Sequence, residues 1–224
     1  MNANDFDTHN HVVDTPCTDT KVLHYPTSSN FKARFNGPPS ENLTLDQQRI
    51  QRSILQSRPK TGLSGPFGPW LANPNICSPA QELGKVCRYG TSLTRYQSEI
   101  VILLTAARHY SHTEFDIHVN EALDAGVPMN IICHIPRDDK FTKENIEKDL
   151  IPLISCDNDI SLIRFVVELL LKSGIMSDDV YNETRHKVGN GKDEILVEIT
   201  SIVGYYTFVA YTLNVFQIPS IVPT

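Results

Sequence analysis

At 224 residues, with a net charge of −6, 40% hydrophobic and 21% charged residues, the chain has the make-up of a globular protein with a real core. The acidic balance, and Lys and Arg scattered rather than gathered in a stripe, exclude nucleic acid as the expected partner, since phosphate binding needs a basic footprint. The longest apolar stretch, Ile195 to Phe216, is interrupted by Glu198, Gly204 and Asn214, so no membrane span is expected.

The first residues carry neither the basic nor the apolar region of a secretory signal, and a cytoplasmic location is the expectation. Cys17, Cys77, Cys87, Cys133 and Cys156 are odd in number and never in C-x-x-C spacing, which fits reduced structural thiols.

In chain order, residues 1–40 are polar, rich in Thr, Asn, His and Pro, and read as a flexible or draped arm. Thr44 with Gln47 forms a capping-box pattern that opens a helix ending before Pro59. Thr61 to Asn75 is too rich in Gly and Pro for regular structure, yet holds Phe67, Trp70 and Leu71. Ser78, with Pro79 and Gln81 behind it, is expected to start a helix that Gly90 closes. Thr94 with Gln97 starts the next, whose apolar run covers Ile100 to Ala107.

Ser111 with Glu114 starts a helix ending at Gly126, and Pro128 opens a short one to about Ile135. Pro136 to Lys148 is charged and expected to be exposed. Helices follow over Ile160–Lys172, Ser177–Val188 and Asp193–Phe216, and 220–224 is a tail. Strand signals are almost absent. The reading is a single all-α domain over 41–219. A shift of 95 residues aligns Glu99, Ile100, Thr105 and Tyr110 with Glu194, Ile195, Thr200 and Tyr205, the pattern of a duplicated helical unit.

The candidate site lies at the break between two of these helices. Glu99 sits in an apolar run, and Ser111, Glu114 and His118 fall on one face of the next helix. Two acids and an imidazole make a proton-transfer set without a thiol. This spacing resembles the carboxymuconolactone decarboxylase and alkylhydroperoxidase-D superfamily, whose redox branch carries E-x11-C-x2-C-x3-H. Ser111, Glu114 and His118 occupy the positions of the two cysteines and the histidine. Further stretches look like the decarboxylase-like branch: Gly65 to Leu71, Leu83-Gly84 to Arg88-Tyr89-Gly90, Thr105 to His109, and Gly204-Tyr205-Tyr206-Thr207 through Thr212-Leu213-Asn214.

The resemblance implies an alkylhydroperoxidase-D-like helical fold, a homo-oligomer, a cofactor-free site, and decarboxylation of a carboxylated lactone or a related reaction on a small molecule. It does not carry over the thiol-peroxidase cycle, because Ser and Glu form no disulfide. The long arm and the Cys133–Arg137 region depart from the compact lactone decarboxylase. They point to a more specialised substrate, so isomerisation, dehydration and cyclisation stay open beside decarboxylation.

Each candidate also has a plain structural account. Ser111 and Glu114 would make a capping box, and Ser111 is expected first as a cap, with substrate binding as its functional reading. His118 is expected to move a proton, with Glu114 orienting it. Glu99 is either a neutral donor whose pKa burial has raised, or a carboxylate paired with Arg95. Arg108 and His109 either offset a helix dipole or bind substrate, a guanidinium fork suiting a carboxylate. Phe67 and Trp70 are expected to wall the pocket, with Tyr205 and Tyr206 lining it from the last helix. His109, His112, Glu114 and His118 do not share one helical face, so no metal site is expected. The remaining alternatives are a non-catalytic helical scaffold and a residual oxidoreductase using Cys77, Cys87 or Cys133.

Overall fold

The computed structural model describes residues 31–58 and 62–220; the first thirty residues of the expected arm, residues 59–61 and the last four residues lie outside this range. The described residues are helical with no strand, so the all-α expectation holds.

The principal helices are α1 (Leu45–Ser57), α2 (Phe67–Leu71), α3 (Pro74–Tyr89), α4 (Arg95–Arg108), α5 (His112–Asp124), α6 (Met129–Cys133), α7 (Lys143–Asn145), α8 (Asp157–Leu171), α9 (Asp178–Lys187) and α10 (Glu194–Phe216). α7 runs on into a π-helical turn, Ile146–Leu150.

α4 is the centre of the fold. Every residue from Ser98 to Ala107 is buried, so the helix is apolar almost all round and needs neighbours on every side. α5, α8 and α10 supply them. Burying its Ile, Val and Leu side chains contributes about 1.5–3 kcal/mol each before chain entropy is counted. Its start is held by a complete capping box between Thr94 and Gln97. Its end is a tight reversal: Tyr110 takes the left-handed conformation (φ 57°), and the Ser111 N–H donates to Ala106 O at 3.0 Å. This turn folds α5 back along α4 and brings residue 118 beside residue 99.

Several expected boundaries move. The Gly/Pro stretch is not wholly irregular, because Phe67–Leu71 closes one helical turn as α2. α3 begins at Pro74, capped by Asn73, and runs through Pro79, so Ser78 does not open it. The charged stretch after Pro136 is anchored rather than simply exposed, with Phe141, Ile146 and Leu150 buried.

The aligned repeat is not a repeated structure. Where α4 breaks at Arg108–Ser111, α10 passes through the matching Val203–Tyr206 without interruption. Among the described residues α10 is also the one helix long and apolar enough to cross a bilayer, contrary to the expectation that its polar interruptions prevent this. Here more than half of that stretch is buried in the fold, against α3, α4, α5 and α8. The end of the arm is tied down as well: the Arg34 N–H donates to Phe216 O at 2.8 Å and its Nη1 to Val215 O at 3.0 Å.

Candidate active site

Glu99 projects from α4, and Glu114 and His118 project from α5. All three side chains are buried, at 4%, 4% and 2% exposure, so their charges interact with little screening by water. His118 Nδ1 lies 2.6 Å from Glu99 Oε2 and Nε2 lies 3.2 Å from Glu114 Oε1. The imidazole is thus clamped between two carboxylates. The Tyr206 ring stands edge-on to it, centroids 5.3 Å apart.

The electrostatics follow from this clamp. Burial pushes the His118 pKa down, but the Glu99 charge and the hydrogen bonds to both carboxylates outweigh it, and the pKa rises to about 9. Burial pushes Glu99 up, and the His118 and Arg88 charges more than reverse this, leaving it below its ordinary value. Glu99 is therefore a carboxylate, not the neutral donor that burial alone predicts. Nor is it paired with Arg95, which meets Glu121 at 3.4 Å.

A small cavity of about 60 Å³ opens beside the clamp. Glu114 and His118 line it, while Glu99 sits behind the imidazole. Phe67 comes from α2, Gly84 and Arg88 from α3, Tyr205 and Tyr206 from α10, and Arg58 from the end of α1. Burial pushes the pKa of both tyrosines up, so their hydroxyls stay protonated at neutral pH. Arg88 is paired with Glu121 at 2.9 Å. Gly84 is required here, because a Cβ at that position would overlap the Tyr205 hydroxyl and ring.

Of the expected site residues, Glu99, Glu114, His118, Phe67, Tyr205 and Tyr206 converge; Trp70, Ser111, Arg108 and His109 do not. Trp70 lies behind the wall, stacked on Phe208 at 4.7 Å, edge-on to Phe67 and Tyr205, with Nε1 donating to Thr212 Oγ1 at 2.9 Å. It is core packing. Ser111 occupies the N-cap position of α5 but makes no side-chain capping hydrogen bond, and its buried hydroxyl has no partner among the described residues. Neither half of the capping box forms: the Ser111 N–H donates to Ala106 O instead, and the Glu114 carboxylate turns to His118.

Arg108 and His109 line a different cleft, of about 550 Å³, with Ser173, Thr200, Thr207 and Tyr211. There His109 Nε2 meets Thr207 Oγ1 at 3.1 Å and the His109 carbonyl accepts from Asn214 Nδ2 at 2.8 Å. The end of α4 turns both side chains away from the clamp.

Sequence reasoning missed Arg58, Arg88 and Gly84 as cavity residues. A glycine inside a helix signals close approach, and Arg88 lies one turn beyond it on the same face. Arg58 carries no such signal, because a cation at a helix end is ordinary. Cys77 and Cys87 are buried away from the cavity lining, and burial pushes the Cys77 thiol up to about 11 and Cys87 upward too, so neither is a ready thiolate. Among the described residues no set of three His, Cys, Asp or Glu side chains is arranged to hold a metal ion. No protein-family model matches the chain, and no curated protein matches it.

Proposed function

We propose that the chain is a cofactor-independent acid–base enzyme of the decarboxylase-like branch of the carboxymuconolactone decarboxylase family, acting as a carbon–carbon lyase on a small oxygenated carboxylated or lactone metabolite. One observation carries this reading: the buried Glu99–His118–Glu114 clamp reaches a cavity through His118 and Glu114.

Loss of carbon dioxide breaks a carbon–carbon bond and leaves its electron pair on the substrate as an enolate. The protonated hydroxyls of Tyr205 and Tyr206 supply donors for the enolate oxygen. His118 is an imidazolium at neutral pH, its charge held by Glu99. It supplies the proton for the new carbon–hydrogen bond from Nε2, directly or by way of Glu114, and regains one from water. The cavity takes the reacting end of the substrate rather than a bulky whole molecule, since ligand pockets of about 300–1,000 Å³ are usual for larger ligands.

The same groups serve isomerisation, dehydration or cyclisation. A non-catalytic scaffold predicts these carboxylates turned to solvent or capping helix ends, and their burial against His118, with Glu114 at the cavity, favours the enzyme. Mass-detected turnover against a panel of carboxylated lactones and polyketide acids tests the proposal. On the substrate found, His118→Gln is expected to lose about 10²–10⁴-fold in rate with its helical content intact. Full turnover by that variant overturns the role of His118.

A further inference from the structure

Arg58 ends α1, and its guanidinium is buried, at 6% exposure. Nη1 donates to Ser57 Oγ at 3.0 Å and Nη2 to Gln81 O at 3.0 Å, both neutral acceptors. Its Cζ lies 4.7 Å from the centre of the Phe67 ring. No carboxylate stands within ion-pair distance of it among the described residues. A buried charge left without a counter-charge is costly, and an anion brought in by a ligand would offset that cost.

The other charged groups at the cavity each have an oppositely charged partner in contact. Arg88 has Glu121 at 2.9 Å, and Glu99 and Glu114 face the two nitrogens of His118. Arg58 alone among the charged groups of the cavity lining has no oppositely charged side chain in contact among the described residues, and a guanidinium has more N–H donors than these two acceptors use.

We propose that Arg58 is the anion subsite of this cavity: it pairs with the single carboxylate of a monoanionic substrate beside Phe67, with the reacting carbon turned towards Glu114 and His118. The assignment rests on the reading of the cavity as a substrate site. A guanidinium fork matches one carboxylate with two parallel hydrogen bonds. A second carboxylate on the same small molecule would meet only Arg88, already held by Glu121, and the carboxylate of Glu114, and a neutral amide would bring Arg58 no counter-charge. The site therefore ranks a monoacid above both its amide and a diacid of the same length.

Trp70, the only tryptophan in the chain, reports on the cavity wall through its edge-on contacts with Phe67 and Tyr205, centroids 5.8 and 6.1 Å away. Its fluorescence is titrated with crotonate, crotonamide and fumarate as probes, with calorimetry as an independent reading. The wild-type chain is expected to bind crotonate at least about tenfold more tightly than crotonamide or fumarate, the margin of a charge-assisted pair. Arg58→Gln is expected to erase that preference while leaving the weak crotonamide binding in place, and Arg58→Lys to keep part of it.

Equal binding of acid and amide by the wild type, a preference that survives in Arg58→Gln, or no binding of crotonate by either method overturns the assignment. If Arg58→Gln does not fold, the wild-type ranking and Arg58→Lys decide. His118→Gln separates the two readings. Lost turnover in His118→Gln, with the acid preference unchanged in Arg58→Gln, removes Arg58 and leaves the acid–base site. Retained turnover in His118→Gln, with the preference lost in Arg58→Gln, does the reverse.

Discussion

With Nδ1 of His118 at 2.6 Å from one carboxylate and Nε2 at 3.2 Å from another, the imidazole is held as a cation, and the two acids play unequal parts. Glu99 is the closer partner, is walled off from the cavity, and makes the largest contribution to raising the histidine pKa to about 9. Glu114 touches the cavity, so it is the acid a substrate meets. Glu99→Gln is therefore expected to move the His118 titration midpoint down from about 9 further than Glu114→Gln does. The Cε1 proton of His118, followed by NMR across the titration, measures both midpoints. A larger drop in Glu114→Gln, or a wild-type midpoint near the ordinary imidazole value, reverses this assignment of roles.

The cavity depends on how closely α3 and α10 approach, and one glycine sets that distance. The Tyr205 hydroxyl lies where a side chain at residue 84 would begin, so the α10 tyrosines reach the space beside His118 only because α3 is bare there. Gly84→Ala should destabilise the fold by about 1–3 kcal/mol, the usual cost of overpacking, despite the better helix propensity of alanine. Urea unfolding gives the loss and Trp70 fluorescence the displaced wall; a variant as stable as the parent, with unchanged emission, contradicts it.

Helix existence was legible from periodicity and caps: Thr44 and Thr94 both close the boxes their spacing predicts. The pairing of residues 99, 114 and 118 was legible too, because spacing along two consecutive helices implies a shared face. What stayed hidden depends on tertiary competition. Glu114 had two possible partners, the Ser111 N–H and His118, and nothing local decides between a cap and an ion pair. Arg108 ends α4 only four positions before α5 begins at His112, yet it faces another cleft, a direction that residue spacing does not encode.

For the molecule as a whole, the buried clamp ties stability to pH, and the sign follows from each shift. His118 has a folded pKa raised from 6.5 to about 9, so its contribution is fully present below about 6.5 and is lost as pH rises through about 9. Glu99 is lowered from 4.5, so its contribution is present above about 4.5 and is lost as pH falls through the depressed folded value. The clamp thus holds α4 and α5 together best between about pH 4.5 and 6.5, in a core helix pair on which α8 and α10 also rest.

Cys77 extends the loss on the alkaline side: its thiol is raised from 9.0 to about 11, so above pH 9 the unfolded chain gains by ionising first. Urea unfolding free energies are expected to fall by roughly 3 kcal/mol between about pH 6 and 9 in the wild type. His118→Gln, lacking the titrating group, should be nearly flat over that interval while keeping the further loss above it. A wild-type profile that stays level from pH 6 to 9, or a variant that retains the same slope, would show that the fold does not draw on this ion cluster.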